Sequence, residues 1–176
     1  YEIKLRNLGK KDTAESKRKI KKFKQTYPDS IFNKDVDLFL ANILFKNVDI
    51  NELKNQIKLI NKKYKLSYRN KKYLLLFEAK VLEKNNKIKK AFLKYLELWS
   101  QYPNFKKEFV KLKLKELNGN NKYNIKISDK TRRYKRLLFS RKYKQILEEA
   151  NKSESNEIKL LVGKAYIKSG QDEKGL

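Results

Sequence analysis

Ala91-Phe92-Leu93-Lys94-Tyr95-Leu96-Glu97-Leu98-Trp99-Ser100-Gln101-Tyr102-Pro103 carries the reading of the fold. Ala91, Tyr95, Leu98 and Trp99 recur every three or four positions, the period of a helix with one apolar face. Pro103 then ends it, because proline cannot continue the helix and restricts the residue before it. The same Tyr-Pro ending appears at Tyr27-Pro28-Asp29, behind Ile20 and Phe23 on one helical face. Two such endings in one chain point to a repeat.

Working outward, Val36, Phe39, Leu40, Ile43 and Leu44 predict a helix, Asn47-Val48-Asp49 a turn, and Leu53, Ile57 and Ile60 a second helix. A second hairpin begins near Ser67. It has Leu75, Leu76, Ala79 and Leu82 on its first helix, a turn at Asn85-Asn86, and the quoted helix as its partner. Aligning Leu53 with Ala91 sets the repeat at 38 residues. Phe105, Phe109, Val110, Leu112, Leu114 and Leu117 predict a further helix, closed at Asn118-Gly119 with Gly119 in a left-handed cap. A loop is expected over 120–126. Then come a helix with Tyr134, Leu137, Leu138 and Phe139, its partner with Tyr143, Ile146, Leu147 and Ala150, and a last helix with Ile158, Leu161, Val162, Ala165, Tyr166 and Ile167. Asp29, Ser30, Asn104, Ser128 and Asp129 are the candidate N-caps. The expectation is an all-α chain, one repeat domain over residues 1–176, ending in a truncated partner helix after Gly170 and continuing beyond its C-terminus. Tyr1 in place of Met reads as an internal fragment.

The composition agrees. Of 176 residues 39% are hydrophobic and 12% aromatic, with only 5 Gly and 2 Pro, so a core exists and the turns that β architectures need do not. Mean hydropathy is -0.87, and the longest apolar run, Tyr73-Leu74-Leu75-Leu76-Phe77, is far too short to cross a bilayer. Lys and Arg number 46 against 20 Asp and Glu, a net charge of +26. That charge has two open readings: the drift of an AT-rich genome toward Lys, Asn and Ile, or attraction to an anionic partner. With 39 Lys and 7 Arg, the chain is poor in the planar fork that grips phosphate in two places.

Catalytic chemistry finds little to use. The absence of His and Cys removes the commonest general base, the commonest nucleophile and nearly all zinc ligands. Glu148-Glu149 and Glu154 with Glu157 read as solvated faces or lysine partners. No glycine-rich phosphate loop occurs. No residue is therefore expected to be catalytic, to hold a cofactor or to bind a metal. The basic clusters Lys17-Arg18-Lys19-Ile20-Lys21-Lys22 and Arg132-Arg133-Tyr134-Lys135-Arg136 invite a nucleic-acid reading, but Tyr134 falls on the apolar stripe with Leu137 and reads as core. Nucleic acid is thus not the expected partner; wall polymers or lipid head groups suit the charge equally. Trp99 reads as an inter-helix packing residue. Ala41, Ala79, Ala91 and Gly163 read as small residues that let helices approach.

The hairpins resemble tetratricopeptide repeats: Ala91, Tyr95, Leu98 and Pro103 match the second-helix pattern, and Val162, Gly163, Tyr166 and Gly170 the first. Leu40, Ala41 and Leu44 match in part, while Glu78 and the missing Gly near Asn86 depart from it, so the repeats are degenerate. The implied fold is an α-solenoid of such hairpins. The order of motifs is similar to the superhelical domain of soluble lytic transglycosylases. There a Trp-x-x-Tyr-Pro helix end, here Trp99, Tyr102 and Pro103, precedes an Arg-x-x-x-Leu-Leu-x-x-x-x-Tyr pair, here Arg133, Leu137, Leu138 and Tyr143. That resemblance implies a periplasmic or cell-envelope protein of a bacterium that holds a separate peptidoglycan-cleaving domain and meets peptidoglycan or an envelope protein. The family's catalytic Glu-Ser is followed by a Gly-Leu-Met-Gln element; Glu15-Ser16 and Glu154-Ser155 lack that sequel, so neither is assigned. The alternative is a tetratricopeptide-type adaptor of the envelope with no enzyme attached.

Overall fold

The structure is a computed structural model that describes residues 13–119, 122–150 and 155–171. Among these, nine α-helices and no strand occur: α1 (Thr13–Thr26), α2 (Asn33–Lys46), α3 (Ile50–Lys63), α4 (Tyr68–Lys84), α5 (Ile88–Gln101), α6 (Lys107–Leu117), α7 (Ile127–Phe139), α8 (Tyr143–Glu149) and α9 (Asn156–Lys168). The fold is all-α. None of these helices is long and apolar enough to cross a membrane. The partner helix expected after Gly170 and the residue Glu154 lie outside the described residues.

Seven of the nine described helices end in one of two ways. After α2, α4, α7 and α9 the chain makes one tight turn: Asp49 N–H donates to Leu44 O (3.0 Å), Lys87 to Leu82 O (2.9 Å), Lys142 to Leu137 O (2.9 Å) and Gln171 to Tyr166 O (3.0 Å). Each residue before these donors has positive φ: Val48 59°, Asn86 58°, Arg141 55° and Gly170 78°. This is the Schellman closure, which satisfies the last free carbonyls of the helix. After the first three turns a new helix begins at once, at Ile50, Ile88 and Tyr143. By contrast α1, α3 and α5 end on a tyrosine. Tyr27, Tyr64 and Tyr102 each donate N–H to the carbonyl four residues back, at 2.9 Å. Tyr64 is then extended, φ -129° and ψ 136°, and Pro28 and Pro103 follow the other two.

The chain separates into two compact units, Tyr1–Ala91 and Phe92–Leu176. In the first, α2 packs on α1, α3 and α4, and α3 packs on α4. Ala41, Leu44, Leu53, Ile57, Ile60, Leu66, Leu74, Phe77 and Val81 form its main core, with Ile20, Val36 and Ile43 a smaller one. Leu53 and Ala91, the two positions aligned in the sequence, are both fully buried. In the second unit α7, α8 and α9 each pack on the other two around Tyr134, Leu137, Ile146, Ile158, Leu161 and Ala165. The earlier part of this unit is tied by rings: Phe92 meets Tyr123 at 4.9 Å and Tyr95 meets Phe109 edge-on at 6.2 Å.

Several expected caps are overturned. Helix α2 starts three residues later than an Asp29 cap implies and two later than a Ser30 cap does, with Phe32 at the N-cap and the Ser30 hydroxyl accepting from Phe32 N–H. Lys106, not Asn104, precedes α6, and Lys126 precedes α7, so Ser128 and Asp129 lie inside its first turn. Gly119 does not adopt positive φ, because Asn118 (φ -94°) already closes α6 and its side-chain oxygen accepts from Tyr123 N–H at 2.6 Å. Ser67, near which the second hairpin was expected to begin, is the N-cap of α4 and accepts from Asn70 N–H.

Candidate functional site

Each unit buries a charged side chain among hydrogen-bond partners. In the first, Asp37 sits on the buried face of α2 with no exposure. One carboxylate oxygen accepts from Lys24 Nζ at 2.7 Å and Gln56 Nε2 at 3.1 Å, and the other from the Tyr64 hydroxyl at 2.7 Å. Burial, the hydrogen bond to Asp37 and the Asp37 charge together raise the Tyr64 hydroxyl far above the usual tyrosine range, so it stays a donor. Asp37 thereby joins the end of α1, the middle of α3 and the start of the α3–α4 connection.

In the second unit Arg133 is 1% exposed. Its Nε and Nη2 donate to the two oxygens of Glu149, both at 2.7 Å, Nη1 donates to Trp99 O at 2.6 Å, and the guanidinium lies 4.5 Å from the Trp99 ring centroid. Gln145 adds a donor to Glu149 at 2.9 Å. Burial pushes the Glu149 carboxyl up, but the hydrogen bonds from Arg133 and Gln145 and the Arg133 charge outweigh it and hold it below the ordinary glutamate range. These contacts satisfy a buried charge; they do not form an acid–base pair.

This node also dissolves the expected basic cluster at 132–136. Arg133 is spent on Glu149, Tyr134 is core, Arg132 lies 3.7 Å from Asp129 and Lys135 3.2 Å from Glu157. The cluster at 17–22 is partly compensated too, with Lys17 held between Asp49 and Glu52 and Lys19 paired with Glu15. Glu148 and Glu149 do not act as one site: Glu149 faces Arg133, while Glu148 lines a shallow depression with Arg141, Lys142, Tyr143, Lys144, Gln145 and Ser169. Among the described residues no group of three or more carboxylates is placed to hold a metal ion.

The surface that the cluster count missed is the corner between α3 and α4. Lys62, Lys63, Lys65, Arg69 and Lys71 are all exposed there and none is in an ion pair with a described residue. The signal was present in the sequence, since residues 53–77 contain no Asp or Glu. It was hidden behind 130–147, an equally acid-free and denser stretch in which Arg132, Arg133 and Lys135 meet carboxylates from outside it. Comparison with family models, with curated proteins and with solved structures finds no match to this chain.

Proposed function

We propose that the chain is a non-catalytic superhelical scaffold of a peptidoglycan lytic transglycosylase of the bacterial periplasm or cell envelope. In this reading its tetratricopeptide-like hairpins belong to an α-solenoid that positions a separate catalytic domain against glycan. One observation carries the reading. The two motifs behind the resemblance, Trp99-x-x-Tyr102-Pro103 and Arg133 with Leu137 and Leu138, are bonded to each other through Arg133 and the Trp99 carbonyl and ring. Motifs 34 residues apart that meet in one buried contact belong to one structural device. Such a device suits placement, since its buried groups are bonded within it, Arg133 to Glu149 and to the Trp99 carbonyl.

A tetratricopeptide-type adaptor of the envelope is the second reading. It draws on the recurrence of the Schellman turns at Val48 and Asn86, 38 residues apart, which owes nothing to the transglycosylase motifs. Peptidoglycan pull-down with muropeptide release separates the two. If the natural full-length protein releases anhydro-muropeptides while this chain binds and releases nothing, the scaffold reading stands. If neither binds or cleaves, the adaptor reading replaces it.

A further inference from the structure

We infer that the α3–α4 corner is a docking surface for an anionic lipid bilayer. Between residues 61 and 73 only Leu66 is buried, whereas 74–77 are all buried, so the end of α3 and the first turn and a half of α4 project from the packed body of the first unit. The projection is held firmly at its base: Leu66 enters the core, and Tyr64 bonds to buried Asp37. Every charged residue between 61 and 73 is a cation. Lys62, Lys63, Lys65, Arg69 and Lys71 face solvent, and Glu78, the first carboxylate after Glu52, is already bonded to Asn61.

The chemistry of the corner selects its partner. A protruding cationic tip fits a flat charged plane, into which four to eight Lys or Arg suffice for recognition of anionic head groups. Tyr68 (48% exposed) and Tyr73 (38%) stand on the same projection, and tyrosine is the side chain that settles at head-group level with its ring down and hydroxyl up. A single nucleic-acid strand asks for something else, successive rings aligned for base stacking. Five residues apart on a helix, Tyr68 and Tyr73 point roughly 140° away from each other and form no such platform. Lysine dominates over arginine, which suits a diffuse field of head groups better than a shaped phosphate pocket. The inference is independent of the transglycosylase reading.

The test is co-sedimentation of the whole chain with vesicles of phosphatidylcholine alone and of equimolar phosphatidylcholine and phosphatidylglycerol. Binding is expected only to the second, weakening as salt rises. The variant K62Q/K63Q/K65Q/R69Q lowers the partition coefficient by about a thousandfold, while K89Q/K90Q/K111Q/K115Q, with the same loss of charge elsewhere, lowers it less than about tenfold. Tyr68→Ser weakens binding several-fold without changing the salt slope. All these side chains are exposed, and circular dichroism verifies that each variant folds. Equal losses in the two quadruple variants, binding to an oligothymidine strand in place of vesicles, or no vesicle binding by the parent chain each overturn the inference.

Discussion

Val48 holds φ 59°, the left-handed region that a β-branched side chain occupies at the highest steric cost. Its equivalents, Asn86, Arg141 and Gly170, show that the turn demands this conformation whatever residue fills it. Glycine is free of the clash, so Val48→Gly raises stability by about 1 kcal/mol and Asn86→Gly by less, since Asn tolerates the region. Urea midpoints of the two variants measure this. The Arg133–Glu149 pair behaves oppositely. Removing Arg133 strands a half-buried carboxylate and costs about 3 kcal/mol, and Arg133→Leu with Glu149→Leu recovers most of that loss, because the pair's own desolvation cost disappears with it. A carboxyl held below its ordinary range adds stability above its unfolded pKa and loses it as pH falls through the folded value. Glu149→Gln is therefore most damaging near neutral pH, and its deficit shrinks as the medium is acidified below the ordinary glutamate range. Trp99 fluorescence during urea unfolding at several pH values reads the difference, and a deficit constant with pH excludes the charge as its source.

At the level of the helices, capping is uneven between equivalent positions. Asp49 opens α3 and accepts from Glu52 N–H, but Lys142, at the same place before α8, carries no acceptor and puts a cation at the positive end of the helix. Lys142→Asp supplies the missing acceptor and raises the stability of the second unit by about 1 kcal/mol, read from its thermal midpoint. Helix positions were legible because the apolar period is strong. Helix starts were not: Ser128 and Asp129 look like caps to any local rule, yet the buried Thr131 and Tyr134 draw the first turn back to Ile127. Nor was the equivalence of Tyr64 with Tyr27 and Tyr102, because no proline follows it. The burial of Arg133 was not legible, because its charge counts it with the basic cluster while the carboxylate that draws it inward stands sixteen positions away.

For the molecule as a whole, +26 is the number that pattern and packing leave unspent. The acids are distributed to pair cations at helix contacts, as Lys24 with Asp37 or Lys135 with Glu157, and almost none face Lys54, Lys58 and Lys62, which follow one another at four-residue spacing along α3. Like charges at that spacing repel, each pair by a few tenths of a kcal/mol, so the folded chain works against its own field. The denatured chain spreads the same charge over a larger volume, and screening therefore favours the folded state more. Raising salt from low to physiological strength shortens the screening length to about 8 Å, close to the spacing of these lysines. The thermal midpoint accordingly rises by several degrees over that range and levels off once neighbouring charges are screened. Circular dichroism follows the helices of both units and Trp99 fluorescence follows the second alone. A larger salt shift by circular dichroism than by fluorescence assigns the repulsion to the first unit, where the acid-free segment 53–77 lies. A midpoint that falls with salt instead means that the buried pairs outweigh the surface field.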